Sequence, residues 1–328
     1  MPILGQRGGT EGLPNILITE TRTLTLPFNL ECYAYVIGAG GSGGAVGSGG
    51  SSGSASGGSA GGTAISRLFL SSGTNYTCTV GNGGTYVGGS GVVAGNDGQD
   101  TVFSGSDIAT MTGTLGKAGG TGGVSGGAPQ ATQCATPTGG NIANILGGRS
   151  KATTGPNKVT GGGAVGLYDE GLTGSTEATA SDWADGGNLS GAPESVSATD
   201  LRNGYLTGYV AGAPFPDIYS VTASDFRGYS NYNTSALTSD TYDVGVSAQM
   251  AGVQPYMLSG KDVIWSNNSK SYNAPPFSGG NGLWTTAGYA YGSHGTLGGG
   301  GGAVRAVTEA FSGCGGTGAI LLFPIAIS

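Results

Sequence analysis

Few residues of this sequence could catalyse a reaction. His294 is the single histidine, so a Ser-His-Asp triad would have to use it as the base. It lies in the loop-like stretch 291–296, where a lone histidine is more often an exposed side chain than a base. The adjacent carboxylates Asp169 and Glu170 form a pair of the kind that hydrolyses glycosides, but acids in a polar segment are usually only solvated. We therefore predict that the protein is not an enzyme and uses no cofactor.

Metal-binding signals are weak as well. Asp182, Asp185 and Asn188 have the spacing of oxygen ligands in a calcium loop, but the later Glu of an EF-hand is missing. They are the only cation candidate, and we predict no metal site. The four cysteines form no C-x-x-C pair, and zinc sites need clustered Cys and His. We interpret all four as reduced thiols.

A glycine-rich run at residues 38–43 matches the dinucleotide fingerprint G-x-G-x-x-G and follows the apolar stretch 33–37. That fingerprint requires a helix whose N-terminus holds the pyrophosphate. Here the next ten residues are mostly glycine and serine, and each interior glycine costs a helix up to about 1 kcal/mol relative to alanine. We therefore reject a nucleotide site.

The composition excludes several classes of partner. The net charge is −7 with no Lys/Arg run, which argues against nucleic acid. No stretch of about 18 apolar residues is present, so we expect no membrane insertion. The N-terminus lacks the pattern of a signal peptide. The 71 glycines follow no triplet repeat, and 15 Tyr, 8 Phe and 3 Trp are retained, so neither collagen nor disorder fits.

The order of segments predicts a mainly β protein with a discontinuous domain. Residues 1–15 form an N-terminal docking arm carrying Ile3 and Leu4, and residues 16–127 are the first part of a glycine-rich, antiparallel β-sandwich-like domain. Residues 128–291 are an insertion rich in Tyr and Trp, and 292–328 supply the closing strand. We expect 317–323 to pair near 33–37 and the glycine tracts to be ordered, since long disordered loops inside a compact domain are unusual.

The insertion carries the strongest sign of recognition. Its tyrosines lie among Asn, Asp, Ser and Thr, a combination that gives rigid amphipathic contact area and adaptable hydrogen bonds. Alternatively, many of these rings form the insertion's own core. The candidate receptor-binding residues are Tyr205, Tyr209, Tyr219, Tyr229, Tyr232, Tyr242, Tyr256, Trp183 and Trp265.

The terminal regions resemble the glycine-rich domain of phage tail-fibre and other virion proteins. The resemblance depends on the order of four features: a strand that runs into 36–44, a strand that ends in 77–84, the stretch 97–104 followed by glycines at 119–123, and the closing strand at 313–322. A weaker resemblance is to phage tip adhesins built from packed polyglycine II helices, in which only hydrogen side chains let neighbouring backbones touch. Both resemblances imply attachment or structure, and neither carries catalytic residues across.

The resulting functional hypothesis is a tail-fibre or fibre-tip adhesin, assembled into the virion in the host cytoplasm, that binds a host surface glycan or protein. A purely structural virion component, such as a capsid decoration or fibre connector, is the alternative, and an ice- or surface-binding protein is a second one. Only 9% of the residues are charged, and weakly charged β surfaces associate readily. We therefore expect a homo-oligomer, with a trimer as the first guess, attached to other virion proteins through residues 1–15.

Overall fold

In the part of the chain that the structure describes, strands are connected by extended segments, and the abundant glycine disfavours helices. The computed structural model describes residues 16–48, 53–122, 129, 131–153, 155, 157–166, 170–171, 173, 177–178, 182–184, 277, 279–280, 282–284 and 288–328. In these ranges the fold is mainly β, which confirms the predicted class. Within them no helix is long and apolar enough to cross a membrane.

One five-stranded sheet, which we term the larger sheet, contains the longest strands. Strands are numbered along the chain, and this sheet has the order β1-β21-β3-β6-β13. The strands are β1 (Ile16–Ile18), β21 (Ala319–Ile327), β3 (Leu30–Ile37), β6 (Thr63–Leu70) and β13 (Ala143–Ile145). All of its pairings are antiparallel, and β21 pairs with β3 from Ala319 opposite Ile37 to Phe323 opposite Tyr33. The predicted pairing of the closing strand is therefore confirmed.

A second antiparallel sheet packs against the larger one. Its order is β11-β10-β7-β2, with β2 (Arg22–Thr25), β7 (Asn75–Thr79), β10 (Thr101–Gly105) and β11 (Ile108–Gly113). The core between the sheets combines Cys32, Val36 and Leu322 from one sheet with Tyr76 and Phe103 from the other. Alternation along the strands explains this, because successive side chains point to opposite faces.

The remaining strands are two or three residues long and lie in glycine-rich segments. They are β4 (Ala45–Val46), β5 (Ser54–Ala55), β8 (Gly88–Gly89), β9 (Val92–Val93), β12 (Thr121–Gly122), β14 (Val159–Thr160), β15 (Glu177–Ala178), β16 (Asp182–Ala184), β17 (Gly282–Trp284), β18 (Tyr289–Tyr291), β19 (Val304–Arg305) and β20 (Glu309–Phe311). They form sheets of order β12-β5-β14-β15, β16-β17-β19-β4-β9 and β18-β20-β8. The described part of residues 128–291 thus shares sheets with the terminal regions.

Glycine-rich segments lie side by side and bond to one another through their backbones. We term this part the glycine bundle; its segments are 38–47, 53–62, 81–89, 92–100, 114–122, 146–153, 157–166, 292–306 and 311–318. Along residues 38–44, N–H groups that are three residues apart donate to the same neighbouring segment, at N···O distances of 2.9–3.1 Å. Gly38, Gly41 and Gly44 donate to 53–62, Ala39 and Ser42 to 92–100, and Gly40 and Gly43 to 311–318.

The carbonyl groups of residues 39–44 accept from three further segments. Gly116 and Gly119 donate to Ala39 and Ser42, Gly84 donates to Gly40, and Gly301 and Val304 donate to Gly41 and Gly44. Residues 38–44 are therefore surrounded by six segments and completely buried. At Gly40 a Cβ would overlap the backbone of Gly299, so only glycine permits this approach.

Segments at the edge of the glycine bundle show a simpler pattern. Gly113, Gly116, Gly119 and Gly122 are buried, and the two residues between each pair are half-buried. Where no carbonyl of another segment is in reach, polar side chains accept instead, as buried N–H groups require. Asp97 Oδ1 accepts from Ala118 N–H, Asp100 Oδ1 from Leu115 N–H and Ser59 Oγ from Lys117 N–H, each at 2.7 Å.

The glycine bundle has two different ends. At one end its segments continue into the sheets, since Gly38 follows β3, Thr114 follows β11 and Gly318 precedes β21. At the other end, termed the distal end, chain turns meet. There Ser48 N–H donates to Thr308 O at 3.1 Å, and Thr308 N–H donates to Gly288 O at 3.1 Å. Strand β1 pairs with residues 320–322 of β21, beyond the end where the glycine bundle joins the sheets.

Candidate binding surface

Apolar side chains are exposed at the distal end. Val92 and Val93 in β9 are each 37% exposed, and Val307, next to the turn at Thr308, is 56% exposed. Gly47 N–H donates to Gly91 O at 2.8 Å, which fixes the turn before β9 to the end of segment 38–47. Exposed apolar groups gathered at one end of a molecule are typical of interaction sites.

Three aromatic rings form a row on the side of the glycine bundle near this end. The rings of Tyr291 and Phe311 are stacked, with centroids 5.0 Å apart and planes 13° apart. Tyr86 meets Phe311 edge-on, at a centroid distance of 6.4 Å and an angle of 65°. The exposed fraction is 57% for Tyr86 and 46% for Tyr291, and Phe311 is half-buried. We term Tyr86, Phe311 and Tyr291 the aromatic row.

The backbone beneath the aromatic row is held by short hydrogen bonds. Gly292 N–H donates to Phe311 O at 2.7 Å, and Ser312 N–H donates to Val87 O at 2.8 Å. Val87 N–H in turn donates to Ser312 Oγ at 3.0 Å. Opposite Phe311, Gly88 leaves room for the ring, because a Cβ at that position would overlap it. These contacts fix the backbone from which the rings of Phe311 and Tyr291 extend.

His294 and Cys314 come three residues after Tyr291 and Phe311 on the same two segments. Cys314 N–H donates to Nδ1 of His294 at 2.8 Å, so the proton of the neutral ring is on Nε2. Burial lowers the pKa of His294 below its ordinary value, and burial raises the pKa of the Cys314 thiol. A neutral imidazole bonded to an amide and a protonated thiol form a structural contact and not a nucleophile–base pair.

The other cysteines are also free thiols. Cys32, Cys78 and Cys134 are buried, and burial raises the pKa of Cys78 to about 11. This agrees with the interpretation of all four as reduced. Among the residues that the structure describes, no three His, Cys, Asp or Glu side chains are grouped in a way that could hold a metal ion.

Most of the residues predicted for recognition lie outside the described ranges. These are Tyr205, Tyr209, Tyr219, Tyr229, Tyr232, Tyr242, Tyr256 and Trp265, together with Ile3 and Leu4 of the arm and with Asp185 and Asn188 of the cation candidate. Asp182 and Trp183 lie in β16, where their backbones pair with Trp284 and Leu283 of β17. These predictions therefore stay predictions.

Sequence reasoning missed the aromatic row because its members are scattered over residues 86–311. A signal was present nonetheless. A large side chain next to the glycines of a tract is expected to face outward, since a Cβ at most of the buried glycines would overlap a neighbouring backbone. In segment 311–318 the residues with partial exposure are Phe311, Cys314 and Thr317, three apart.

Comparison of the chain with models of known protein families gives no match, and none of the curated proteins is significantly similar to it.

Proposed function

We propose that the protein is a recognition module of a phage virion, a tail-fibre or fibre-tip adhesin that binds a glycan or protein on the host surface. The observation that carries this proposal is the separation of two surfaces. Strand β1, which follows the N-terminal arm, lies in the larger sheet, whereas Val92, Val93 and Val307 are exposed together at the distal end, with the glycine bundle between them. Such an arrangement suits a protein that is attached at one end and binds at the other.

The hydrogen bonding of the glycine bundle supports a rigid spacer. A period of three in both hydrogen-bond partner and burial is typical of extended helices with three residues per turn, and we propose that the segments pack as a polyglycine II array. Each segment bonds through its backbone to several others, so turns at the distal end are held by a scaffold that does not depend on their own sequence. Binding residues are commonly placed on loops carried by such scaffolds.

The assembly we propose is a homotrimer attached to other virion proteins through residues 1–15. The aromatic residues of the segment 185–276 would add to the recognition surface. Charged side chains keep exposed β surfaces from associating, and the chain has few of them, which favours self-association.

Binding of the fluorescently labelled full chain to a panel of bacterial strains tests this function. The informative variant is Val92→Ser/Val93→Ser/Val307→Ser, which removes apolar surface only at the distal end. Phe69→Ser is the matched control, because Phe69 is 54% exposed in β6 of the larger sheet. We expect the wild type and the control to bind the same strains and the triple variant to bind them more weakly.

Two other results would contradict the proposal. A chain that binds no strain but associates with purified virion proteins through its distal end is a structural component. Inhibition of ice growth by a chain that binds no cells would instead favour the surface-binding alternative.

A further inference from the structure

Folding explains the aromatic row only in part. Two of its rings are about half exposed, and outward positions of other bundle segments carry polar residues such as Asp97 and Lys117. Tyr291 and Phe311 are directly opposite each other in β18 and β20, and their stacking contributes to the stability of the fold. That contact does not require the rings of Tyr86 and Tyr291 to stay about half exposed. Large exposed rings that lie next to one another on a fixed backbone are typical of binding sites.

The chemistry of the aromatic row indicates an uncharged, ring-shaped ligand with one apolar face. Aromatic rings bind the C–H face of a sugar, and the Tyr hydroxyls can exchange hydrogen bonds with sugar hydroxyls. Glu309 lies in the same strand as Phe311, and the chain carries a net charge of −7, so an anionic ligand is disfavoured. His294, the nearest basic group along segment 292–306, is held neutral by burial.

The arrangement of the rings favours a chain of sugars over a single one. The three rings come from three distant parts of the chain, and the ring of Phe311 contacts both others, with centroid separations of 5.0 Å to Tyr291 and 6.4 Å to Tyr86. Because the hydrogen bonds under Phe311 and Val87 fix the backbone, little ordering has to accompany binding.

We propose that Tyr86, Phe311 and Tyr291 form a binding site for a neutral glycan chain, outside the long segment 185–276. This inference rests on the proposed function, since it names the ligand class and the site through which the adhesin would hold its receptor.

The test measures binding of the full-length protein to an array of neutral oligosaccharides, with sialylated and uronic-acid oligosaccharides as charged counterparts. The variants are Tyr86→Ala, Tyr291→Ala and the double variant, and Phe69→Ala is the control for removal of an exposed ring elsewhere. Tyr86→Phe/Tyr291→Phe keeps the rings and removes only the hydroxyls. Thermal melts establish that each variant is folded, which the exposure of both side chains leads us to expect.

We expect the wild type to bind neutral glycans, each Ala variant to lose at least about tenfold in affinity, and the Phe double variant to lose less. Phe69→Ala should bind as the wild type does. Equal binding by the wild type and the Ala double variant would overturn the site while leaving the adhesin function intact, provided that both still bind cells. A double variant that changes oligomeric state by light scattering, with glycan binding unchanged, would show that the row contacts another copy of the chain. Absence of binding to both cells and glycans would refute the adhesin function itself.

Discussion

Gly119 and Gly120 are neighbours in one glycine tract, but alanine substitution should affect them very differently. A Cβ on Gly119 would overlap the carbonyl oxygen of Ser56 and would lie 2.9 Å from Gly44 N, and Cβ atoms in proteins essentially never lie closer than 3.0 Å to another atom of this kind. A Cβ on Gly120 would come no closer than 3.3 Å to another atom, the Cβ of Pro129, and would lie 3.8 Å from the Oγ of Ser56.

The magnitude follows from the contacts that would have to separate. Moving segment 114–122 away from segment 53–62 weakens the bonds from Ser56 N–H to Gly120 O and from Gly120 N–H to Ser56 Oγ, both 2.9 Å long. Overpacking costs about 1–3 kcal/mol, and each buried polar group left without a partner adds about 1–3 kcal/mol. We therefore expect Gly119→Ala to lose about 3–6 kcal/mol, a large part of a typical folding stability of about 5–15 kcal/mol.

Thermal unfolding followed by circular dichroism provides the measurement. At roughly 2 °C per kcal/mol for a chain of this size, Gly119→Ala should lower the Tm by about 6–12 °C and Gly120→Ala by a few degrees at most. Gly91→Ala is a further control, because a Cβ there meets nothing within 4 Å. Equal Tm values for the variants at positions 119 and 120 would refute the three-residue period and show the tract to be a linker.

Three further predictions concern charge and the closing strand. Burial lowers the pKa of His294 in the folded chain below 6.5, so the unfolded chain binds the proton first as the pH falls, and stability should decrease below about pH 6.5. In His294→Asn, which keeps an acceptor near the position of Nδ1, the urea concentration at half-unfolding should change less between pH 7 and 5.5. Burial raises the pKa of Asp97, but the hydrogen bonds from Lys117 and Ala118 outweigh burial and lower the pKa. The contribution of Asp97 to folding stability is therefore present above about pH 3.8 and lost below it. By the same urea assay, Asp97→Asn should be less stable than the wild type at pH 7 and should lose less further stability between pH 4 and 2. Removal of residues 317–328 should abolish folding, because β21 lies between β1 and β3; a soluble, monodisperse truncation by light scattering would contradict this.

The pairing of the central strands was predictable because apolar side chains mark the stretches that form them. The apolar stretches at 33–37 and 317–323 are suited to central strands, and they do pair. Partner choice in the glycine bundle was not predictable, since a glycine tract has no side chains to specify a neighbour. Gly41 accepts a hydrogen bond from Gly301, 260 residues further along the chain. Such contacts depend on how all segments pack together and on no local signal.

Glycine content along the bundle nevertheless follows the number of neighbours. Residues 38–44, enclosed on all sides, contain only glycine apart from Ala39 and Ser42, whereas the edge segment 113–122 keeps a buried glycine at every third position. The proposed polyglycine II conformation would account for this, because a helix with three residues per turn presents every third residue to the same side. At the enclosed glycines a Cβ would overlap a neighbouring backbone, whereas Ala39 and Ser42 show that a small side chain fits at some enclosed positions. At positions that face no neighbouring segment, larger side chains are tolerated.

Variation at outward positions therefore costs the fold little. Tyr291 and Phe311 occupy such positions. Gly292, directly after Tyr291, and Gly313, two residues after Phe311, face neighbouring backbones with which a Cβ would clash. A scaffold of this kind separates the residues that maintain the structure from those that can change with a ligand. For a protein that recognises a surface, this separation allows the binding residues to change while the glycine bundle that holds them stays the same.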